Sequence, residues 1–254
     1  MKKYFFFDID GTLRVGMGGP IPASTKACLD ELRARGHFVA TATGRLQKDA
    51  VRRVSELGIT SLVADGGWSL TLDGRILQMR PLPAEPCALF LQQLDQLGIP
   101  WAVTTENELV RYTPDHRFSQ QINDGYFDTV ILPGLSAVSK HPIYKIFFPC
   151  TAQRLRQLEL FGLSTVQYSP ECVFIEPVDK ANGIRSMMEL LGAPVSDVVV
   201  FGDGSNDLQM FCPQWFSIAM GNACAPLKEK ADYVTAPCDQ DGIYLACRHF
   251  GWVD

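Results

Sequence analysis

The segment Tyr4-Phe5-Phe6-Phe7-Asp8-Ile9-Asp10-Gly11-Thr12-Leu13 sets the tightest limit on how this chain can fold. A strand covered on both faces reads as an unbroken apolar run, and sheets built from such strands bind ligands at the strands' carboxyl ends. Here the run stops on two carboxylates one residue apart, which repel each other unless a positive charge stands nearby. A hard divalent cation with oxygen ligands, Mg²⁺, is the simplest such charge. Asp-Gly is also a hairpin signal, under which Asp10 would be only a turn former. The chain supplies its own comparison: Asp73-Gly74 lies between the strand-like runs Leu70–Leu72 and Arg75–Leu77 and predicts a hairpin, whereas Gly11 leads into the glycine-rich Arg14–Pro20, read as a mobile segment with no partner strand.

Beyond that segment the pattern alternates. Ser24–Arg35 reads as a helix closed by Gly36, His37–Ala42 as a strand running into Thr43-Gly44-Arg45, and Leu46–Leu57 as a helix stopped by Gly58. This is the rhythm of a parallel sheet with right-handed crossovers. Near Pro81, Pro83 and Pro86 it changes to short adjacent strands, a polar stretch from Pro114 to Asp128, a strand over Ile143–Phe148, a helix over Ala152–Leu160 and a strand over Cys172–Ile175. A helix over Ala181–Leu191 and the strand Val198–Phe201 then restore the first pattern. The expected architecture is α/β: a doubly wound, mainly parallel sheet core over residues 1–82 and 178–254, interrupted by an inserted α+β domain over 83–177 whose two connections would act as hinges.

Composition narrows the function class. A formal net charge of -5 without any Lys/Arg block argues against a nucleic-acid binder that depends on phosphate neutralisation. No apolar run approaches the length of a membrane span, and Phe5–Phe7 is too short for a signal-peptide core, so a cytoplasmic protein is expected. The eight cysteines form no C-x-x-C pair and read as reduced fillers, and the four histidines do not cluster, so neither zinc nor a Ser/His pairing is signalled.

The chemistry gathers in segments that fall at a core strand's carboxyl end or a helix start: Asp8–Thr12, Thr43–Arg45, Asp179–Lys180 and Gly202–Asp207. Together they offer a nucleophile, an acid/base, metal ligands, hydroxyl and backbone donors, and a cation for phosphoryl oxygens. Lys180, in the first turn of a helix, opposes the macrodipole; a phosphate shared between its ammonium and the helix start would explain it, and so would plain solvation. Asp203, Asn206 and Asp207 can also be read as turn and capping residues.

These segments resemble the motifs of the haloacid dehalogenase-like superfamily, specifically its Cof-type phosphatases with a large inserted cap. Asp8-Ile9-Asp10-Gly11-Thr12, Thr43-Gly44-Arg45, Lys180 and Gly202-Asp203-Gly204-Ser205-Asn206-Asp207 stand in that family's order, and the tail Ala219-Met220-Gly221-Asn222-Ala223 is similar as well. The resemblance implies that Asp8 is the nucleophile of an aspartyl-phosphate mechanism and Asp10 its general acid and base. It implies further that Thr43, Gly44, Arg45, Lys180 and Asn206 contact substrate, that Asp8, Asp10 (through its carbonyl) and Asp203 hold Mg²⁺, and that Asp207 supports the metal or the lysine from behind. For Arg45 a structural ion pair competes with the substrate contact. Two departures stand out: Asp65-Gly66-Gly67 replaces a common Asn-Gly-Ala, placing a carboxylate near the expected cap entry, and Ala181 follows Lys180 where glycine is frequent.

The expectation is a Mg²⁺-dependent phosphomonoesterase, monomeric or homodimeric, acting on a small phosphorylated metabolite, a sugar phosphate ahead of a nucleotide or cofactor phosphate. Arg111, His116, Arg117, His141 and Lys145 are the insert's candidates for substrate contact or ordinary surface residues. A phosphomutase of the same superfamily and a non-enzymatic phospho-acceptor module are the alternative readings.

Overall fold

The computed structural model describes residues 1–122, 124–137 and 141–254, so Asn123 of the polar stretch lies outside the described residues. The chain divides into two compact units, Met1–Met79 with Asp179–Asp254, and Arg80–Val178.

In the first unit the strands lie in the order Tyr233–Val234, Phe216–Ala219, Val198–Gly202, Tyr4–Phe7, Phe38–Ala42, Leu62–Ala64, Ser69–Leu72, Arg75–Met79. All neighbours are parallel up to Leu62–Ala64, after which two antiparallel pairings finish the sheet. The phenylalanine run is explained by burial from both sides. Phe5 and Phe7 pack with Leu29, Leu32, Ile243 and Ala246 on one face, while Phe6 packs with Ile184, Met187 and Met188 on the other. Alternate side chains of a strand point to opposite faces, so only a strand sandwiched between helices can be apolar throughout.

Tyr4–Phe7 sits between Val198–Gly202 and Phe38–Ala42, which brings the ends of all three to one edge of the sheet. The Asp73-Gly74 hairpin forms with both residues at positive φ, 49° and 81°. Arg14–Pro20 is better anchored than its glycines suggest: the Arg14 N–H donates to the Ile9 carbonyl at 2.9 Å, and its guanidinium reaches the Gly19 carbonyl at 2.8 Å and Glu56 at 2.5 Å.

The second unit has a sheet in the order Thr165–Ser169, Cys172–Ile175, Lys145–Pro149, Ala102–Thr104, Val110–Thr113, Asp128–Ile131, antiparallel except for its last pair. The helix expected over Ala152–Leu160 covers only Ala152–Leu155 before the chain turns, and the polar stretch contains a short helix, Arg117–Gln121. Short helices gain too few internal hydrogen bonds for local propensity to fix their ends.

Candidate active site

Asp8 leaves the Tyr4–Phe7 strand with its N–H still donating to the Phe201 carbonyl at 3.0 Å, so the first acid is fixed to the neighbouring strand. That neighbour runs on into Gly202 and Asp203. Gly11, with φ of 83°, turns the chain back so tightly that a Cβ there would lie 2.1 Å from the Asp203 carboxylate. Only glycine satisfies both the left-handed backbone and the close approach. The Thr12 hydroxyl donates to Asp203 Oδ1 at 3.1 Å, and the Asn222 amide donates to the Gly11 carbonyl at 2.8 Å and lies 3.5 Å from Asp203 Oδ2.

Lys180 opens the helix Lys180–Leu190 and is 1% exposed. Its ammonium donates to Asp8 Oδ1 at 2.6 Å and to Asp207 Oδ1 at 2.5 Å. The other oxygen of Asp207 accepts the N–H groups of Asp203 and Gly204, each at 3.0 Å. Asp207 therefore ties the lysine and the Asp203 loop together.

The helix reaches this position through glycine contacts. The Asp179 N–H donates to the Gly66 carbonyl at 2.7 Å, and a Cβ on Gly67, whose φ is 109°, would stand 2.2 Å from the Asp179 carbonyl oxygen. Gly67→Ala is accordingly expected to cost more than about 2 kcal/mol and to displace Lys180. A lowered melting temperature with a parallel loss of activity would show this, and a variant that melts and works like the wild type would refute it.

The Asp65 carboxylate is 3% exposed and accepts the Gln47 N–H at 3.2 Å, while its own N–H donates to the Arg45 carbonyl at 2.9 Å. It thus serves the start of the Gln47–Val54 helix, for which Leu46 provides no side-chain cap.

Electrostatics follow from crowding. Burial, reinforced by the Asp207 and Asp203 charges, pushes Asp8 up to about 8 against the opposing pull of Lys180. Burial, with the Asp207 charge, likewise lifts Asp203 to about 7. Lys180 is raised above its ordinary value, because its two carboxylate partners outweigh burial. One carboxylate oxygen from each of Asp8, Asp203 and Asp207 can be chosen so that all three lie within 4.8 Å of one another. Three crowded carboxylates, two of them disfavoured as anions, suit a hard divalent cation with oxygen ligands. Asp207 already has both oxygens engaged, so Asp8 and Asp203 are the members with an oxygen to offer.

Thr43 is buried, and its hydroxyl oxygen accepts the Arg45 N–H at 3.1 Å, which leaves its own hydrogen to donate. Gly44 adjoins it in the same loop, and Asn206 is half-buried in the short turn Ser205–Asp207. Asp10 and Arg45 form a pair instead of joining the acidic trio: Nε donates to Oδ2 at 2.5 Å and Nη2 to Oδ1 at 2.8 Å. Thr12 and Asn222 stand within the sequence motifs without a role of their own there, and Asp49, which accepts from Arg45 Nη1 at 2.7 Å, lies outside them. The signal for Asp49 was its place one helical turn after Arg45.

The second unit sorts its own candidates. Arg111, 1% exposed, pairs with Asp124 at 2.8 Å and lies over the rings of Phe118, Phe127 and Phe147. Lys145 is buried against Glu176. His116, Arg117 and His141 are exposed, with Arg117 held by Asp115 at 2.5 Å. Arg111 and Lys145 are thus internal ion pairs of that unit, not surface residues.

Comparison with known proteins identifies the family. The model of the haloacid dehalogenase-like hydrolase family matches residues 5–246. YcsE of Bacillus subtilis (strain 168), a 5-amino-6-(5-phospho-D-ribitylamino)uracil phosphatase, is 38% identical over 99% of this chain and 96% of its own. YkrA of the same organism, provisionally assigned as a phosphatase, is 32% identical over 98% of each chain. The crystal structure of BT4131, a sugar phosphatase of subclass IIB, superposes with a TM-score of 0.82 at 26% identity, covering 99% of this chain and 100% of that one. With the family model spanning nearly its whole length and the acids, threonine and lysine assembled at one sheet edge, the chain belongs to the haloacid dehalogenase-like hydrolases and is a phosphatase of that superfamily.

Proposed function

We propose that this phosphatase is a Mg²⁺-dependent phosphomonoesterase that hydrolyses a small sugar or sugar-alcohol phosphate through an aspartyl-phosphate on Asp8. The observation that carries the reading is the buried Lys180 ammonium bridging Asp8 and Asp207 beside the Asp203 loop. The arrangement holds one reactive carboxylate oxygen in place and supplies positive charge where a phosphoryl group must enter an acidic site. The substrate class is supported by YcsE, a 5-amino-6-(5-phospho-D-ribitylamino)uracil phosphatase, and by BT4131, a sugar phosphatase. The inserted unit is assigned the choice among such esters.

In this mechanism an Asp8 oxygen attacks phosphorus, and the bond to the ester oxygen breaks with its electron pair leaving on that oxygen, which takes a proton from Asp10. Water then attacks phosphorus and gives a proton to Asp10, while the bond to Asp8 breaks and restores its carboxylate. Thr43, Lys180, Asn206 and the Gly44 backbone are assigned to the phosphoryl oxygens. Mg²⁺, held by Asp8, Asp203 and the Asp10 carbonyl, would neutralise the charge that accumulates on those oxygens.

A screen of sugar phosphates, ribityl phosphates, nucleotides and pyridoxal phosphate is expected to release inorganic phosphate with Mg²⁺ and none with a chelator. Transfer to a second sugar without phosphate release would overturn the hydrolase reading in favour of a mutase. The same ion is expected to raise the melting temperature more at pH 8 than at pH 5. The sign follows from Asp8 at about 8 and Asp203 at about 7. Both lie above their ordinary 3.8, so between about pH 4 and pH 8 the folded protein holds more protons than the unfolded chain. Stability without metal therefore falls as pH rises through that window, while the metal competes with those protons. An equal shift at both pH values would contradict the assigned ligands.

A further inference from the structure

Arg45 uses its guanidinium as a two-sided fork. One edge clasps both oxygens of Asp10, and Nη1 on the other side donates to Asp49 Oδ2 at 2.7 Å. Nη2 also reaches the Met17 carbonyl at 3.3 Å. Exposure falls along the chain of contacts, from 22% for the Asp10 side chain to 9% for Arg45 and 0% for Asp49. Asp49 is itself fixed in the helix Gln47–Val54, where its second oxygen accepts from Arg52 at 3.1 Å and lies 3.5 Å from Arg53.

A bidentate guanidinium–carboxylate contact dictates the plane of the carboxylate as well as its place, which a single ammonium cannot do. A proton donor to the leaving oxygen must meet it within hydrogen-bond reach and along a defined direction. We propose that Arg45, anchored by Asp49, is a positioning residue for the acid–base step: Asp49 holds the fork, and the fork aims the Asp10 carboxyl. This assigns a task to Asp49 and gives Arg45 a role in proton transfer in place of substrate binding. The inference rests on the reading of Asp10 as acid and base.

The test compares kcat/KM for phenyl phosphate and 4-nitrophenyl phosphate, since the nitrophenolate departs readily without a proton and the phenolate does not. Arg45→Ala and Arg45→Lys are expected to lose about 100-fold on phenyl phosphate, and at least tenfold less on the nitrophenyl ester. Asp49→Asn should show the same dependence more weakly. The inhibition constant of inorganic phosphate should stay within about threefold of wild type, and added guanidinium should restore Arg45→Ala but not Arg45→Lys. Equal losses on both esters, or a phosphate constant that rises in step with the lost activity, would overturn the proposal. Asp10→Asn separates the two levels. If it shows the leaving-group dependence and the Arg45 variants do not, only the positioning role falls. If it too shows none, the acid–base reading of Asp10 falls first. Melting curves of each variant confirm that the comparison is made on folded protein, and Arg45→Lys carries the test should Arg45→Ala not fold.

Discussion

Asp8→Asn is expected to leave a folded protein with no measurable turnover, a loss of about 10⁴-fold or more. The amide oxygen is a poor nucleophile, and no other acid of the site is placed to replace it. Asp207 has both oxygens committed, Asp203 is assigned to the metal, and Asp10 has both oxygens clasped by Arg45. The substitution should not cost stability, because it removes a carboxylate that burial and the nearby Asp207 and Asp203 charges push up to about 8 despite Lys180. Lys180 keeps Asp207 as its charged partner. Acid-quenched wild-type enzyme incubated with labelled substrate should retain covalent phosphate, and the variant should retain none. Labelled phosphate trapped on Asp8→Asn, or turnover near wild type, would remove Asp8 from the mechanism.

The second large effect concerns the fold and the chemistry together. Lys180→Met should abolish activity and lower stability by about 3–5 kcal/mol, the usual cost of stripping one partner from a buried ion pair. The side chain is nearly inaccessible and serves two carboxylates, so its removal strands both in a poor solvent for charge. The deficit should deepen as pH rises, since those carboxylates must otherwise be protonated to be tolerated. Adding Asp8→Asn to Lys180→Met is expected to recover part of the lost stability and none of the activity. A denaturation series on the single and double variants decides this. Strictly additive stability losses would mean that Lys180 and Asp8 do not form the coupled pair described.

Much of the architecture was legible because it is written in local patterns. A triple phenylalanine running into two acids can be satisfied by a strand between two helical layers, and burial of Phe5 and Phe7 on one face with Phe6 on the other meets that demand. The hairpin at Asp73-Gly74 depends on residues that accept positive φ. The position of Lys180 at a helix start was likewise visible from periodicity alone. What faded was the inserted unit, where short strands and a four-residue helix carry little periodic signal. Its buried Arg111 and Lys145 looked like surface residues because a charge pattern does not reveal that a partner waits 13 or 31 residues away.

By itself, then, the sequence determined the alternation of strands and helices, the carboxyl ends at which the acids stand, and the turns that glycine must make, since each follows from the preferences of a few adjacent residues. Only the tertiary structure decided the partnerships: Lys180 with an aspartate 172 residues earlier, Arg45 with Asp10 and Asp49, Asp65 with Gln47, and Asn222 with Gly11. Long polar side chains can reach many acids. Which one they meet is set by the strand order that carries distant loops to one edge of the sheet, and by the burial that makes an unpaired charge there too costly to keep.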